Sequence, residues 1–212
     1  MLRYAYINQL VLSIYRELPI VSFPINPQDI IKHISNCRYM SYQQFMKLNG
    51  CTLDDVIQVC ESKSGCTHYD KSTNRYLVLC NESFDNNNNS GRQRWTCSHE
   101  IGHIVCKHHA LSTYSKLSEN GLLKVDNEDF EKEADYFAAT ILAPFPLFKT
   151  LNIKTPEQIR KTFGLSHEAA SNRFEQYLKW KHDHRKTSWE NDIVNVYLRK
   201  KRLSELQEES YQ

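Results

Sequence analysis

Residues 96–109 read TCSHEIGHIVCKHH, four histidines and two cysteines around a single glutamate. His99 and His103 are four apart, so on a helix their imidazoles leave one face about a turn apart, the spacing of two ligands on a tetrahedral zinc ion. Glu100 lies between them in sequence but is rotated around the axis. It is too offset to be a good third ligand and well placed to reach a water on the metal. His-Glu-x-x-His therefore carries a mechanism. Two neutral imidazoles bind Zn²⁺, the ion lowers the pKa of its water toward ~7, and Glu100 takes the proton.

The third ligand must come from elsewhere. Cys106 follows His103 by three residues on nearly the same face but a turn further along, and one straight helix does not easily wrap three ligands around an ion, so Cys106 is the weaker alternative. Cys97 points away from the pair, toward a core. His108 and His109 are expected at a frayed helix end, cationic or solvated. A second helix, EKEADYFAATILAP (131–144), offers Glu131 and Asp135 on one face, beside an apolar stripe of Phe130, Ala134, Phe137 and Ile141. Glu131 is the candidate ligand, and Asp135 the acceptor for the outer N–H of a ligating histidine. Glu133 lies about 200° around the helix from Glu131 and is expected as a surface or lesser polar contact.

Outward from these two helices the chain reads as α+β. Leu2, Tyr6, Leu10 and Ile14 recur at helical spacing, as in an amphipathic helix packed on a core. PINPQDIIKHI, SYQQFMKL and TLDDVIQVCES give three more short helices, the last capped by Thr52. In GCTHYDKSTNRYLVLCNES (65–83) two β-prone runs flank the turn-forming KSTN, the pattern of an antiparallel hairpin. A loop, FDNNNNSGRQ, then leads through Ser90 as N-cap, with Gln93 closing a capping box, into a helix running to about His109. Asp126 is the expected N-cap of the second helix, which Pro144 and Pro146 stop. The remainder is helical with a charged tail, and there is no internal repeat. The expected organisation is a domain over 1–150 and a helical C-terminal region over 151–212.

The formal net charge is +2, so bulk electrostatics points to neither nucleic acid nor a membrane. The opening MLRYAYINQLVLSIYRELPIV begins like a signal peptide, but Arg16 and Glu17 interrupt it and no small-residue cleavage site follows. Seven cysteines, an odd number without a Cys-x-x-Cys pair, read as reduced thiols in a cytoplasmic protein.

RQRWTCSHEIGHIV followed by EKEADYFAATILAP resembles the ImmA/IrrE family of zinc metallopeptidases. The shared pattern is Arg-x-Arg-aromatic-Thr, His-Glu-x-Gly-His, then Glu-x-Glu-Ala-x-x-Phe-Ala-Ala-x-x-Leu-x-Pro, with Gly102 inside the motif and Asn81 after the strand. It is close over 70–146 and looser over 1–69 and 155–180; Ser98 departs from the usual alanine or leucine. The resemblance implies a zincin-like core, a small antiparallel sheet packed on the helix of the histidine pair and on a second ligand-bearing helix. It implies His99, His103 and Glu131 as zinc ligands and Glu100 as general base. It also implies a cytoplasmic endopeptidase whose protein target is a helix-turn-helix repressor governing mobile elements or stress responses. In metallopeptidases of this build substrate lies extended along a sheet edge, which gives YLVLC a role as candidate edge strand.

Weaker signals have ordinary readings. IRKTFGLSHEAASNRF (159–174) has the form of a helix-turn-helix with Arg173 exposed, but its second helix has few basic groups, so direct nucleic-acid binding is the weaker alternative. RKKR (199–202) reads as a solvated helical face. A second metal site at His182 and His184, around Asp183, is not expected. The competing reading of the whole chain is a non-proteolytic regulatory or DNA-associated module with a structural or vestigial zinc site. Glu100 speaks against it, since a structural site needs no general base.

Overall fold

A computed structural model describes residues 2–82, 90–111, 116–117, 124–183 and 187–210. Two compact units are formed, one from Met1–Tyr4 and Asn26–Ala138, the other from Ala5–Ile25 and Ala139–Gln212.

The first unit is built on four strands, β1 (Cys37–Ser41), β2 (Gly65–Asp70), β3 (Arg75–Cys80) and the two-residue β4 (Lys116–Leu117), in the order β1-β3-β2-β4. The hairpin forms as the sequence predicts: β2 and β3 pair antiparallel from Gly65↔Cys80 to Asp70↔Arg75. Asp70 closes its turn by accepting from the Ser72 amide at 2.9 Å and hydroxyl at 2.7 Å, while Asn74 takes a left-handed φ of 53°. The sheet as a whole is mixed, not antiparallel, because β1 runs parallel to β3. No alternation marks CRYMS as a strand; the open edge of β3 makes it one. That pairing also corrects the expectation for YLVLC. β3 has a neighbour on each side and offers no free edge, so the outer strands are β1 and β4.

Two short helices, α3 (Tyr42–Asn49) and α4 (Leu53–Cys60), begin at capping boxes, Ser41 with Gln44 and Thr52 with Asp55. Each box satisfies two amides that a helix start leaves without partners. Their apolar faces close a core of Tyr42, Val56, Cys60, Cys66 and Leu79. The helix of the histidine pair, α5 (Ser90–Val105), lies directly against β2. A Cβ at Gly65 would stand 2.7 Å from Thr96 Cγ2 and 2.9 Å from the Leu79 carbonyl, so only glycine permits this contact. Ser90 is itself the first helical residue, not the N-cap; residues 83–89, which hold most of the expected loop, lie outside the described residues. Asp126 likewise sits inside α7 (Lys124–Leu142), two residues after its start.

In the second unit, α1 (Tyr4–Glu17) is helical as expected but buries Ile7, Val11, Leu12 and Tyr15, a face rotated from the predicted Leu2-Tyr6-Leu10-Ile14 stripe; Tyr6 is exposed. Helices α8 (Phe145–Thr150), α9 (Pro156–Phe163), α10 (His167–Asp183) and α11 (Ser188–Glu209) complete it. Gly164, at φ 63°, turns α9 into α10. Arg173 is not exposed. It is 5% accessible, donates from Nε to the Ala143 carbonyl at 3.0 Å and lies 3.5 Å above the Phe145 ring, so it braces packing and is withdrawn from any surface reading head. In RKKR, Arg199, Lys201 and Arg202 are solvated, while Lys200 caps α1 by donating to the carbonyls of Tyr15, Arg16 and Leu18. His182 is exposed, and His184 lies outside the described residues.

All seven cysteines are free. Among the described residues no helix is long and apolar enough to cross a membrane.

Candidate metal centre

The helical spacing of His99 and His103 brings their Nε2 atoms to 3.1 Å of each other. Glu131, from α7, stands over the pair with Oε2 3.0 Å from His99 Nε2 and Oε1 3.5 Å from His103 Nε2. Potential ligand atoms of the three residues all lie within 4.8 Å of one another. On the outer side of His99, Nδ1 is 2.9 Å from Asp135 Oδ1. A carboxylate only accepts, so Nδ1 carries a proton, and Nε2 is the nitrogen left to meet an ion.

Zinc fits this set. Two imidazole nitrogens and a carboxylate are its ordinary protein ligands, and Glu131 Oε1 is buried without a hydrogen-bond partner. The charges agree. Burial raises the pKa of Glu131, but the His103 and His99 rings beside it overcome this and hold the group at about 2. Burial disfavours a charged His99, yet the contacts with Asp135 and Glu131 lift it to about 10. The carboxylates thus make a negative potential at the inner nitrogens, where a divalent cation and a proton compete.

Close approach of the two helices brings Glu131 within reach. A Cβ at Gly102 would meet Ala134 at Cα (3.0 Å), at its carbonyl oxygen (3.1 Å) and at Cβ (3.3 Å). Two of these are backbone atoms that cannot swing aside. Gly102→Ala is therefore expected to force α5 and α7 apart, lower stability by ~1–3 kcal/mol and weaken zinc binding. Thermal unfolding and zinc titration read both effects; unchanged values would mean the helices have slack that these distances deny. Asp135→Ala should lower metal affinity ~10–100-fold by freeing the His99 ring. The check is chelator competition, and an unaltered affinity would remove Asp135 from the site.

Glu100 is buried, rotated off the histidine face as the sequence implies, and meets the sheet. Thr67 of β2 donates its hydroxyl to Glu100 Oε2 at 2.7 Å. Sequence reasoning did not single out Thr67; nothing in CTHYD distinguishes it, and only the packing of β2 on α5 brings it to the glutamate.

The end of α5 departs from expectation. The helix stops at Val105, and Lys107 adopts a left-handed φ of 60° that folds a short α6 (His108–Leu111) back underneath. His108 and His109 are then fully buried rather than frayed and cationic. Burial and the neighbouring His103 push His108 down to about 3, and the same causes take His109 to about 4, so both are neutral. His108 bridges inward, with Nδ1 2.9 Å from His103 Nδ1 and Nε2 3.0 Å from Glu133 Oε2. Glu133 is accordingly no surface group: it is 2% accessible and also engages Arg3.

Cys106 joins this second cluster and not the first. Its potential ligand atom and those of His108 and Glu133 lie within 4.8 Å of one another. One observation disfavours a metal there. The Arg3 guanidinium already supplies the positive charge at Glu133, through Nε at 3.0 Å from both carboxylate oxygens. Burial and the Glu133 charge also push the Cys106 thiol up to about 12.

Residues 57–175 match the sequence profile of the IrrE N-terminal-like domain, a peptidase family. No curated protein matches the chain.

Proposed function

Since the chain belongs to the IrrE N-terminal-like peptidase family, we propose that it is a zinc-dependent endopeptidase. The observation that carries this reading is the convergence of His99 Nε2, His103 Nε2 and Glu131 beside a carboxylate, Glu100, that a strand hydroxyl holds in place. His99, His103 and Glu131 would hold the ion. When bound, zinc supplies a Lewis acid that polarises the scissile carbonyl and makes water acidic enough to attack near neutral pH.

The chain's own groups do the rest. Glu100 takes the proton of the attacking water and returns it to the leaving amine. The Thr67 hydroxyl donates to Glu100 Oε2 at 2.7 Å and fixes the carboxylate that acts as base. Asp135 keeps the His99 proton on Nδ1 and so keeps Nε2 free for the metal. Burial of Glu100 and both histidines excludes bulk water, which strengthens each of these interactions.

A peptide substrate would add to the sheet as an extended segment. β3 is taken on both sides and β2 pairs with β4 at Thr67 and His68, so the outer edge on the Glu100 side of the sheet is that of β4. The target we favour is a helix-turn-helix repressor in the cytoplasm, cut in an extended or locally unfolded segment. Co-expression with candidate repressors, read by intact mass, tests this. Cleavage of one of them at a single bond is expected; hydrolysis of small amides alone, with every repressor untouched, would overturn the target. A purely structural zinc site leaves the Thr67–Glu100 contact without a purpose, which is why the binding-module alternative ranks second.

A further inference from the structure

We propose that Arg3, Glu133 and His108 form a positioning chain that fixes the tautomer of His103 and through it the affinity of the metal centre. The proposal rests on the zinc reading above and extends it to three residues outside the ligand set.

The chain begins at Arg3. Its backbone amide donates to Glu133 Oε1 at 2.8 Å, its Nε to Oε1 at 3.0 Å, and its Nη2 to Oε2 at 2.5 Å and to the Cys106 carbonyl at 3.2 Å. A carboxylate so paired stays ionised and can only accept. The hydrogen shared between Glu133 Oε2 and His108 Nε2, 3.0 Å apart, therefore belongs to the imidazole. A neutral ring protonated at Nε2 has a bare Nδ1. That atom faces His103 Nδ1 at 2.9 Å, and of two nitrogens in contact one must donate. The donor is His103. Its Nδ1 is then protonated, and its lone pair falls on Nε2, which points at His99 and Glu131.

Both metal-facing histidines thus have an outer acceptor that holds a proton on Nδ1 and leaves Nε2 as the nitrogen that would meet an ion, but by different devices. For His99 it is Asp135, a half-exposed carboxylate in direct contact. For His103 it is a buried neutral imidazole, whose own orientation is set by Glu133 and, one step further, by Arg3. The intervening ring transmits direction without placing a second full negative charge against His103. Fixed outer partners of this kind raise metal affinity by holding the ring ready for the ion. The fold at Lys107 exists in the same frame: without that left-handed residue α5 would continue and His108 would not return beneath His103.

The test compares two substitutions of one residue. His108→Phe keeps a ring but has no acceptor for His103, whereas His108→Asn keeps an acceptor oxygen near the place of Nδ1. Both lose the contact with Glu133, so general structural damage is shared and the difference between them reads the acceptor. Zinc affinity is measured by competition with a chromophoric chelator, and geometry by the visible absorption of the Co²⁺-loaded protein. His108→Phe should bind zinc ~10–100-fold more weakly with an altered Co²⁺ spectrum, and His108→Asn should recover most of the affinity and the parent spectrum. Arg3→Met, a change at a partly exposed side chain, should weaken binding in the same direction. Parent affinity and spectrum in His108→Phe, or His108→Asn as weak as His108→Phe, overturns the positioning chain while the zinc reading stands. A parent protein that binds neither zinc nor cobalt overturns both.

Discussion

Glu100→Gln is expected to leave about one zinc per chain and the fold intact while lowering peptide hydrolysis at least ~10²-fold. The amide has nearly the shape of the carboxylate and can still accept the Thr67 hydroxyl through its oxygen, so packing between α5 and β2 should hold. What it loses is the ability to take a proton from water. Because Glu100 is rotated off the histidine face, the change should not touch metal affinity. Side-by-side elemental analysis and turnover of an identified substrate separate the two effects. Near-normal cleavage by this variant would rule out Glu100 as the base.

Glu131→Ala should remove most bound zinc, leaving two imidazoles that hold the ion poorly. On the scale of structural zinc sites, ~10–16 kcal/mol over four ligands puts one ligand at roughly 2.5–4 kcal/mol, or ~10²–10³-fold in affinity. Glu133→Gln, two residues away on the opposite side of α7, should still take up an ion when zinc is in excess, because Glu133 acts only through His108. Elemental analysis after desalting into metal-free buffer distinguishes the pair. Retention of zinc by Glu131→Ala together with its loss in Glu133→Gln would mean that the faces of α7 have been assigned the wrong way round.

What the sequence made legible follows from the range over which its patterns act. His99 and His103, and Glu131 and Asp135, are each four apart on a helix, so their faces are local properties, and the structure brings the four together. The hairpin and the cap at Thr52 were also legible, since turn and cap chemistry is contained within a few residues. The failures are non-local. β1 becomes a strand only because β3 presents an edge, and the buried face of α1 is chosen by what packs on it. Arg3 and Glu133 are 130 positions apart, so no periodicity could pair them. The turn at Lys107 was hidden for another reason. Left-handed backbone is ordinarily signalled by glycine or asparagine, and a lysine there gives no warning that the helix ends and two histidines become buried.

Among the described residues two clusters could hold an ion, and one of the two contains sulfur, so X-ray absorption at the zinc K-edge tests the assignment most directly. For protein loaded with one equivalent of zinc, binding by His99, His103 and Glu131 predicts nitrogen and oxygen scatterers alone at ~2.0–2.2 Å, with the outer-shell pattern of imidazole. A sulfur scatterer at ~2.3 Å would instead put the ion on Cys106 with His108 and Glu133, and would contradict the metal centre described here.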